Sequence, residues 1–379
     1  MQTDIFKQRN AFVASYFSGQ WSMTELCEHF GVSRPTGYLW VSRFDEDDPQ
    51  SLIDRSHAPL HHINQTDARI VDRILETRDK YGWGAKKLLQ VLQRSDAQTH
   101  WPARSTVNDI LGRHGLLHKR RPRHRWSHPG VVPLSTDEPN QIWPIDFKGQ
   151  FKTGNGVYCY PLTVTDHFSR SLLCCQALPS VKTAAVKPLL QKLFREVGLP
   201  EAFRSDNGAP FASNGIHGLN ELNVWWMQLG INHQRIHPGS PHQNGQHERM
   251  HWDLKKETTR PPCSTMRTQQ EAFDRFRHRY NEERPHEAIG GKVPSELWRP
   301  SPRQMPERIK PPEYPGNFDV RRVSMYGAIR LNMKQLFISS ALKNQYIGLE
   351  EVDDGIWNIV YYHTLIGRIN ERDSTITGV

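Results

Sequence analysis

The chain has 379 residues, with 49 Lys plus Arg against 40 Asp plus Glu, a formal net charge of +9 and 36% hydrophobic residues. That length exceeds one ordinary core, so about two to four domains are expected, and the basic balance points to a polyanionic partner, nucleic acid first. No run approaches the roughly 18 apolar residues of a membrane span; the start, MQTDIFKQRN, has no apolar signal core; and the five cysteines form no CxxC pair, which argues against a zinc or disulfide framework and for a reducing compartment.

Residues 1–48 read as all-helical. In SMTELCEHFGVSRPTGYLWVSRF, Ser22 or Thr24 can cap one short helix, Gly31 sits at a turn, and Ser33 caps a second helix with Pro35 in its first turn. This is helix-turn-helix spacing, whose second helix enters a DNA major groove. After the acidic break DEDDPQ, residues 63–117 repeat the helical plan, with Ser105 as a cap and Val107, Ile110 and Leu111 facing inward. Two recognition helices are therefore expected, near 34–44 and 105–115. Arg34, Thr36 and Tyr38 of the first and Ser105, Thr106 and Asn108 of the second would face DNA.

Residues 118–138 read as a basic linker. Its HKRRPRHRW holds Lys119, Arg120, Arg121, Arg123 and Arg125 with no acid, and suits contact with phosphates. Residues 139–298 alternate strand patterns with amphipathic helices, the signature of an α/β domain. A proline-marked linker covers 299–317, and 318–379 is strand-rich, with a hairpin turn at Asp354–Gly355. The expected fold is multidomain: tandem all-α helix-turn-helix domains, a central α/β core and a small C-terminal β-barrel.

Three acids of the α/β domain stand out. Asp146 lies mid-strand in WPIDF, where an unpaired charge is costly. Asp206 ends a strand in RSDNG, a place where ligands collect in α/β sheets, although an acid before Asn-Gly is commonly turn chemistry alone. Glu248 opens a helix after the glycine-rich HPGSPHQNGQ, a loop with nothing to fill a core and room for something large. Converging carboxylates repel one another. Hard divalent cations relieve this, Mg²⁺ first with Mn²⁺ able to substitute, and two such ions about 4 Å apart can drive a phosphoryl displacement. Lys255 lies two helical turns beyond Glu248 on the same face and can hold a phosphate. His237, His242, His247 and His251 crowd this region, but their irregular spacing argues against a zinc site.

WPIDF, RSDNGAPF and HPGSPHQNGQHERMHWDLKKE together resemble the catalytic blocks of bacterial insertion-sequence DDE transposases with a retroviral-integrase-like core. The resemblance covers nearly the whole chain. It implies an RNase H-like core in which Asp146, Asp206 and Glu248 are catalytic metal ligands for two Mg²⁺ ions, with Lys255 on DNA. It implies a cytoplasmic, nucleoid-associated bacterial enzyme that binds its element's terminal inverted repeats. Such an enzyme cleaves donor strands and joins the 3′-OH ends to target DNA, working as a dimer or larger homo-oligomer on paired ends. Asp166 and Arg170 of TDHFSR, and YNEERPHEAIGGKVPSELW, read as structural. The alternative is a domesticated, inactive DNA-binding regulator; a zinc nuclease fails on ligand spacing.

Overall fold

The computed structural model describes residues 2–48, 50–54, 65–117, 136–213, 218–236 and 245–378. They fall into two compact units, 1–67 and 68–379.

The first unit holds α1 (Gln2–Phe17), α2 (Met23–Phe30) and α3 (Arg34–Arg43). A reciprocal capping box starts α2: Ser22 Oγ accepts from the Glu25 backbone N–H, and the Glu25 carboxylate accepts from that of Ser22. Gly31 ends α2 at φ +65°, a left-handed position that glycine occupies without Cβ strain. Ser33 caps α3 and Pro35 sits in its first turn. Phe12, Val13, Leu26, Cys27, Trp40 and Leu52 form the core, with Val32 packed against it from the turn. The Ser22, Gly31 and Ser33 expectations hold.

The second unit begins with α4 (Ala68–Tyr81), α5 (Ala85–Ser95) and α6 (Arg104–Arg113), packed around Ile74, Leu88, Leu92, Val107, Ile110 and Leu111. Ser105 does not cap α6. The cap position is Ala103, with no side-chain hydrogen bond, and Ser105 lies inside the first turn. Helix α5 docks on the segment that follows the α/β core: Lys86 pairs with Glu287 at 3.4 Å, Arg94 with Glu296 at 3.1 Å, and Arg94 Nη2 donates to the Gly291 carbonyl at 3.0 Å.

The α/β core holds β1 (Ile142–Phe147), β2 (Phe151–Lys152), β3 (Tyr158–Thr165), β4 (Leu172–Leu178), α7 (Thr183–Val197), β5 (Ala202–Ser205), α8 (Glu221–Gln228), β6 (Asn232–Arg235), α9 (Gly245–Thr258) and α10 (Met266–His278). The sheet runs β2-β3-β1-β5-β6, with β4 on β3. Strand β3 is antiparallel to β1 and β4, whereas β1, β5 and β6 are parallel. On one face Trp143, Ile145, Leu162 and Val164 pack with Leu190 and Phe194 of α7 and Trp225 and Trp226 of α8. On the other, Cys159, Leu172 and Cys175 meet Met250 and Leu254 of α9 and Phe273 and Phe276 of α10.

The tail contains β7 (Asp319–Arg322), β8 (Ala328–Leu331), β9 (Lys334–Phe337), β10 (Tyr346–Asp353), β11 (Ile356–Tyr361), β12 (Thr364–Asn370) and β13 (Thr375–Gly378). Among the described residues it is not the expected barrel. Five strands form an open antiparallel sheet, β13-β12-β11-β10-β7, and β8-β9 form a separate hairpin. The edge strands β7 and β13 do not meet. Leu219, Val224 and Met227 from the α/β core fill the apolar face that closure would have covered. The turn at Gly355, φ +72°, joins β10 to β11 as expected.

The proline-marked segment is tied down at its start. Ser301 N donates to the Val197 carbonyl at 2.8 Å, and Leu199 N to that of Arg303 at 2.7 Å. Gly198 makes this approach possible: its φ is +82°, and a Cβ there would stand 2.7 Å from Ser301 O and 2.9 Å from Arg303 O. Gly198→Ala should cost more than about 1 kcal/mol through backbone strain and the clash with two carbonyls. A urea midpoint equal to the parent's would contradict this packing.

Candidate active site

Asp146 and Asp206 are brought together by strand pairing. Parallel rungs join Ile142 to Ala202, Trp143 to Phe203 and Pro144 to Arg204. Each acid lies two residues beyond the last of these rungs, at the carboxyl ends of β1 and β5, where parallel sheets collect ligands. The Asp206 Oδ1 also accepts the Gly208 N–H at 3.0 Å, so the turn role and a site role coexist. Asp146 is pushed up to about 7, first by burial, then by the charge of Asp206, with Glu248 adding to it; the Phe147 N–H and Lys148 act in the opposite direction. Glu248 is exposed, the fourth residue of α9. The three acids thus share one electrostatic environment.

Helix α9 is held over the sheet by buried polar contacts. Asp146 on β1 lies directly opposite Thr163 on β3, so their side chains share a face, and Thr165 shares it by strand alternation. The Thr163 hydroxyl lies 2.7 Å from Nε2 of His247 and 2.7 Å from Nε2 of His251, and Thr165 Oγ1 lies 3.0 Å from His247 Nδ1. Both imidazoles are buried, which lowers the pKa of His247 to about 3 and that of His251 well below its ordinary value. Nδ1 of His251 faces Asp146 Oδ2 at 3.7 Å. Two residues on, buried Asp253 accepts from Arg284 Nη2 at 2.5 Å, and Arg284 reaches Glu257 at 3.7 Å. Arg279 also pairs with Glu257.

Basic groups line the same opening. The amine of Lys148, two residues after Asp146, is held below its usual range by burial and then by the charge of Lys255, while Asp146 and Glu248 oppose that shift. On the exposed side of α9, Trp252 lies between Arg249 at 5.2 Å and Lys256 at 5.7 Å.

The expected DNA-reading residues lie elsewhere. Arg34, Thr36 and Tyr38 are on α3. Thr36 shares a 2.9 Å hydroxyl contact with Ser33 at the cap, and Tyr38 is 55% exposed. Ser105, Thr106 and Asn108 are on α6, with Ser105 exposed and the other two half-buried. Lys119, Arg120, Arg121, Arg123 and Arg125 fall outside the described residues, as do His237 and His242 of the glycine-rich loop. Asp166 is structural as expected: buried, it accepts from the backbone N–H groups of Asn140 and Ser169 and from the Ser169 hydroxyl.

Sequence reasoning missed Lys148 and the inward role of His247 and His251. The histidine signal was present, since their i, i+4 spacing interleaves with Met250 and Leu254 on one helix face. Counting them together with the loop histidines hid it. The role of Arg284 was equally hidden, because its partners are 31 and 27 positions away in sequence.

Two outcomes follow from these buried groups. Arg284→Met strands the Asp253 charge in the interior and should cost about 3–5 kcal/mol, a loss read by chemical denaturation; parent-like stability would show the pair to be solvated. His286, on the segment after α10, is lowered to about 3 by burial, so the folded state refuses a proton that the unfolded chain takes up near 6.5. Stability should therefore fall as pH drops from 7.5 to 5.5, and less steeply in His286→Gln; equal slopes would remove His286 from that account.

The family comparisons agree with this architecture. Two family models, both described as integrase core domain, match residues 136–241 and 229–294. The chain is 25% identical over 258 residues to an uncharacterized 31.7 kDa protein of insertion element IS407 from Burkholderia multivorans, covering 65% of this chain and 86% of that protein. It is 29% identical over 183 residues to a 39.2 kDa protein of insertion element IS476 from Xanthomonas euvesicatoria, covering 48% of this chain and 51% of that protein. Among solved structures, a simian T-cell lymphotropic virus intasome aligns with 77% of this chain and 97% of that chain, at 17% identity and a TM-score of 0.38. Residues 136–294 thus match the integrase core domain family, and the chain is similar to proteins carried by bacterial insertion elements.

Proposed function

We propose that this chain is a DNA transposase that binds the terminal inverted repeats of its own element, cleaves donor strands there, and joins the freed 3′-OH ends to target DNA. The observation that supports the reading is that Asp146 and Asp206 stand at the carboxyl ends of neighbouring parallel strands and that the charges of Asp206 and Glu248 both raise Asp146. Carboxylate oxygens are hard donors that match Mg²⁺, with Mn²⁺ able to substitute, and a divalent cation relieves their repulsion. The donor set therefore fits two ions held by Asp146, Asp206 and Glu248. Such ions, when bound, activate an attacking oxygen and stabilise a leaving one at phosphorus.

The chain's own residues do the rest. The pairing of β1 with β3 and β5 fixes Asp146 on a strand and Asp206 immediately after the next one. Glu248 comes from a separate helix, which leaves its side open to a DNA end. Lys255 and Lys148 place positive charge beside the acids, where a phosphodiester must sit. Helices α3 and α6 present Arg34, Thr36, Tyr38, Ser105, Thr106 and Asn108 to end DNA, and Lys119, Arg120, Arg121, Arg123 and Arg125 neutralise phosphates. Two ends must be held at once, so the working form is a dimer or larger. No helix of the described residues is long and apolar enough to cross a membrane.

Asp146→Asn, Asp206→Asn and Glu248→Gln keep side-chain shape and remove the metal-holding charge. Incubated with labelled end DNA, a target plasmid and Mg²⁺, each variant should still bind the ends. Each should lose strand cleavage and strand transfer by at least about 10³-fold. Full activity in any one amide variant would overturn the assignment.

A further inference from the structure

We infer that His251 is a nitrogen ligand, through Nδ1, for the divalent cation held by Asp146; this rests on the carboxylate site proposed above. The protons available around Thr163 decide which imidazole nitrogens are free. The Thr163 hydroxyl has three partners: the Asp146 carbonyl at 3.1 Å, His247 Nε2 and His251 Nε2, both at 2.7 Å. A hydroxyl has one proton and two lone pairs, and a carbonyl only accepts. The Thr163 proton therefore goes to Asp146 O, and both imidazoles donate Nε2–H to Thr163. In a neutral ring the other nitrogen is then bare. For His247 that nitrogen accepts from Thr165 Oγ1 at 3.0 Å, so the ring is satisfied on both sides.

His251 differs. Its bare Nδ1 points at Asp146 Oδ2 across 3.7 Å, and no hydrogen bond reaches it among the described residues. That gap is too long for a shared proton. Two lone pairs face each other in a site where the ring is only 4% exposed. A cation between them turns the repulsion into ligation, since two donors on one ion at about 2.1 Å each stand roughly 3–4 Å apart. Asp146, His247 and His251 place ligand atoms within 4.8 Å of one another, and the proton count removes His247 from that set. The helix supplies a second reason. Glu248 and His251 are spaced i, i+3 on α9, so one turn delivers a carboxylate and an imidazole to the same opening. The chemical consequence is selectivity: an imidazole nitrogen shifts an otherwise all-oxygen site towards Mn²⁺ over Mg²⁺.

The test uses the full chain loaded with Mn²⁺ alone, titrated by electron paramagnetic resonance and read by pulsed methods for nitrogen coupling. The parent should show an imidazole ¹⁴N coupling that changes to the ¹⁵N pattern when the histidines are ¹⁵N-labelled. His251→Gln should lose it and weaken Mn²⁺ binding about 10-fold, with Mg²⁺ competition little changed, while His247→Gln keeps the coupling. Should His251→Gln fail to fold by circular dichroism, His251→Asn carries the same comparison, and the parent spectrum stands by itself. Mn²⁺ that is displaced by Asp146→Asn yet shows no histidine coupling, or coupling that survives in His251→Gln, would overturn the ligand assignment and leave the carboxylate site standing. Absence of any Mn²⁺ site sensitive to Asp146→Asn would overturn both.

Discussion

The site depends on how α9 is fastened to β3. Glu248 and Lys255 ride on a helix whose inner face carries His247, His251 and Asp253, three polar groups that would be costly to bury without partners. Each finds one. Thr163 and Thr165 receive the imidazoles, and Arg284 receives the carboxylate. Because Thr163 is also the register partner of Asp146, the same hydroxyl that seats α9 sits over the strand that carries the first acid. The distance between the acids of the sheet and the acid of the helix is set through that hydroxyl.

This fastening opposes an electrostatic cost. Burial and two neighbouring carboxylates raise Asp146, and Lys148 compensates only in part. A site with that imbalance stores repulsion that a divalent cation can discharge. Docking of α5 on the 287–296 segment, which follows the π-helical turn Arg279–Glu283 at the end of α10, ties the second helical group to the same scaffold that holds Arg284. The segment read as structural from sequence is thus a junction between a helical module and the scaffold that holds α9.

What was legible in the sequence was whatever local chemistry decides. The capping box at Ser22, the left-handed Gly31, the cap at Ser33 and the turn at Gly355 are set by a few adjacent residues, and they appear as expected. Asp146 and Asp206 were legible because a charge in an apolar strand and an acid at a strand end are anomalies that single stretches expose. Three features were not. Ser105 matched a cap pattern, but α6 starts earlier, at Arg104, so the serine falls inside the turn. The tail has enough strands for a barrel, yet Leu219, Val224 and Met227 of the α/β core cover its apolar face, and no local pattern announces a partner about 100 residues away. His247 and His251 looked like loop histidines because their threonine partners lie on a strand more than 80 positions back.

The central claim is that the three acids form one metal-binding site at the carboxyl ends of β1 and β5. Anomalous diffraction from crystals of the full chain grown with end DNA and Mn²⁺ tests it most directly. The account predicts a peak within coordination distance of Asp146 and Asp206, with Glu248 drawn to the same cluster. Mn²⁺ peaks confined to other acidic groups, with Asp146 free of metal in the DNA-bound complex, would contradict it.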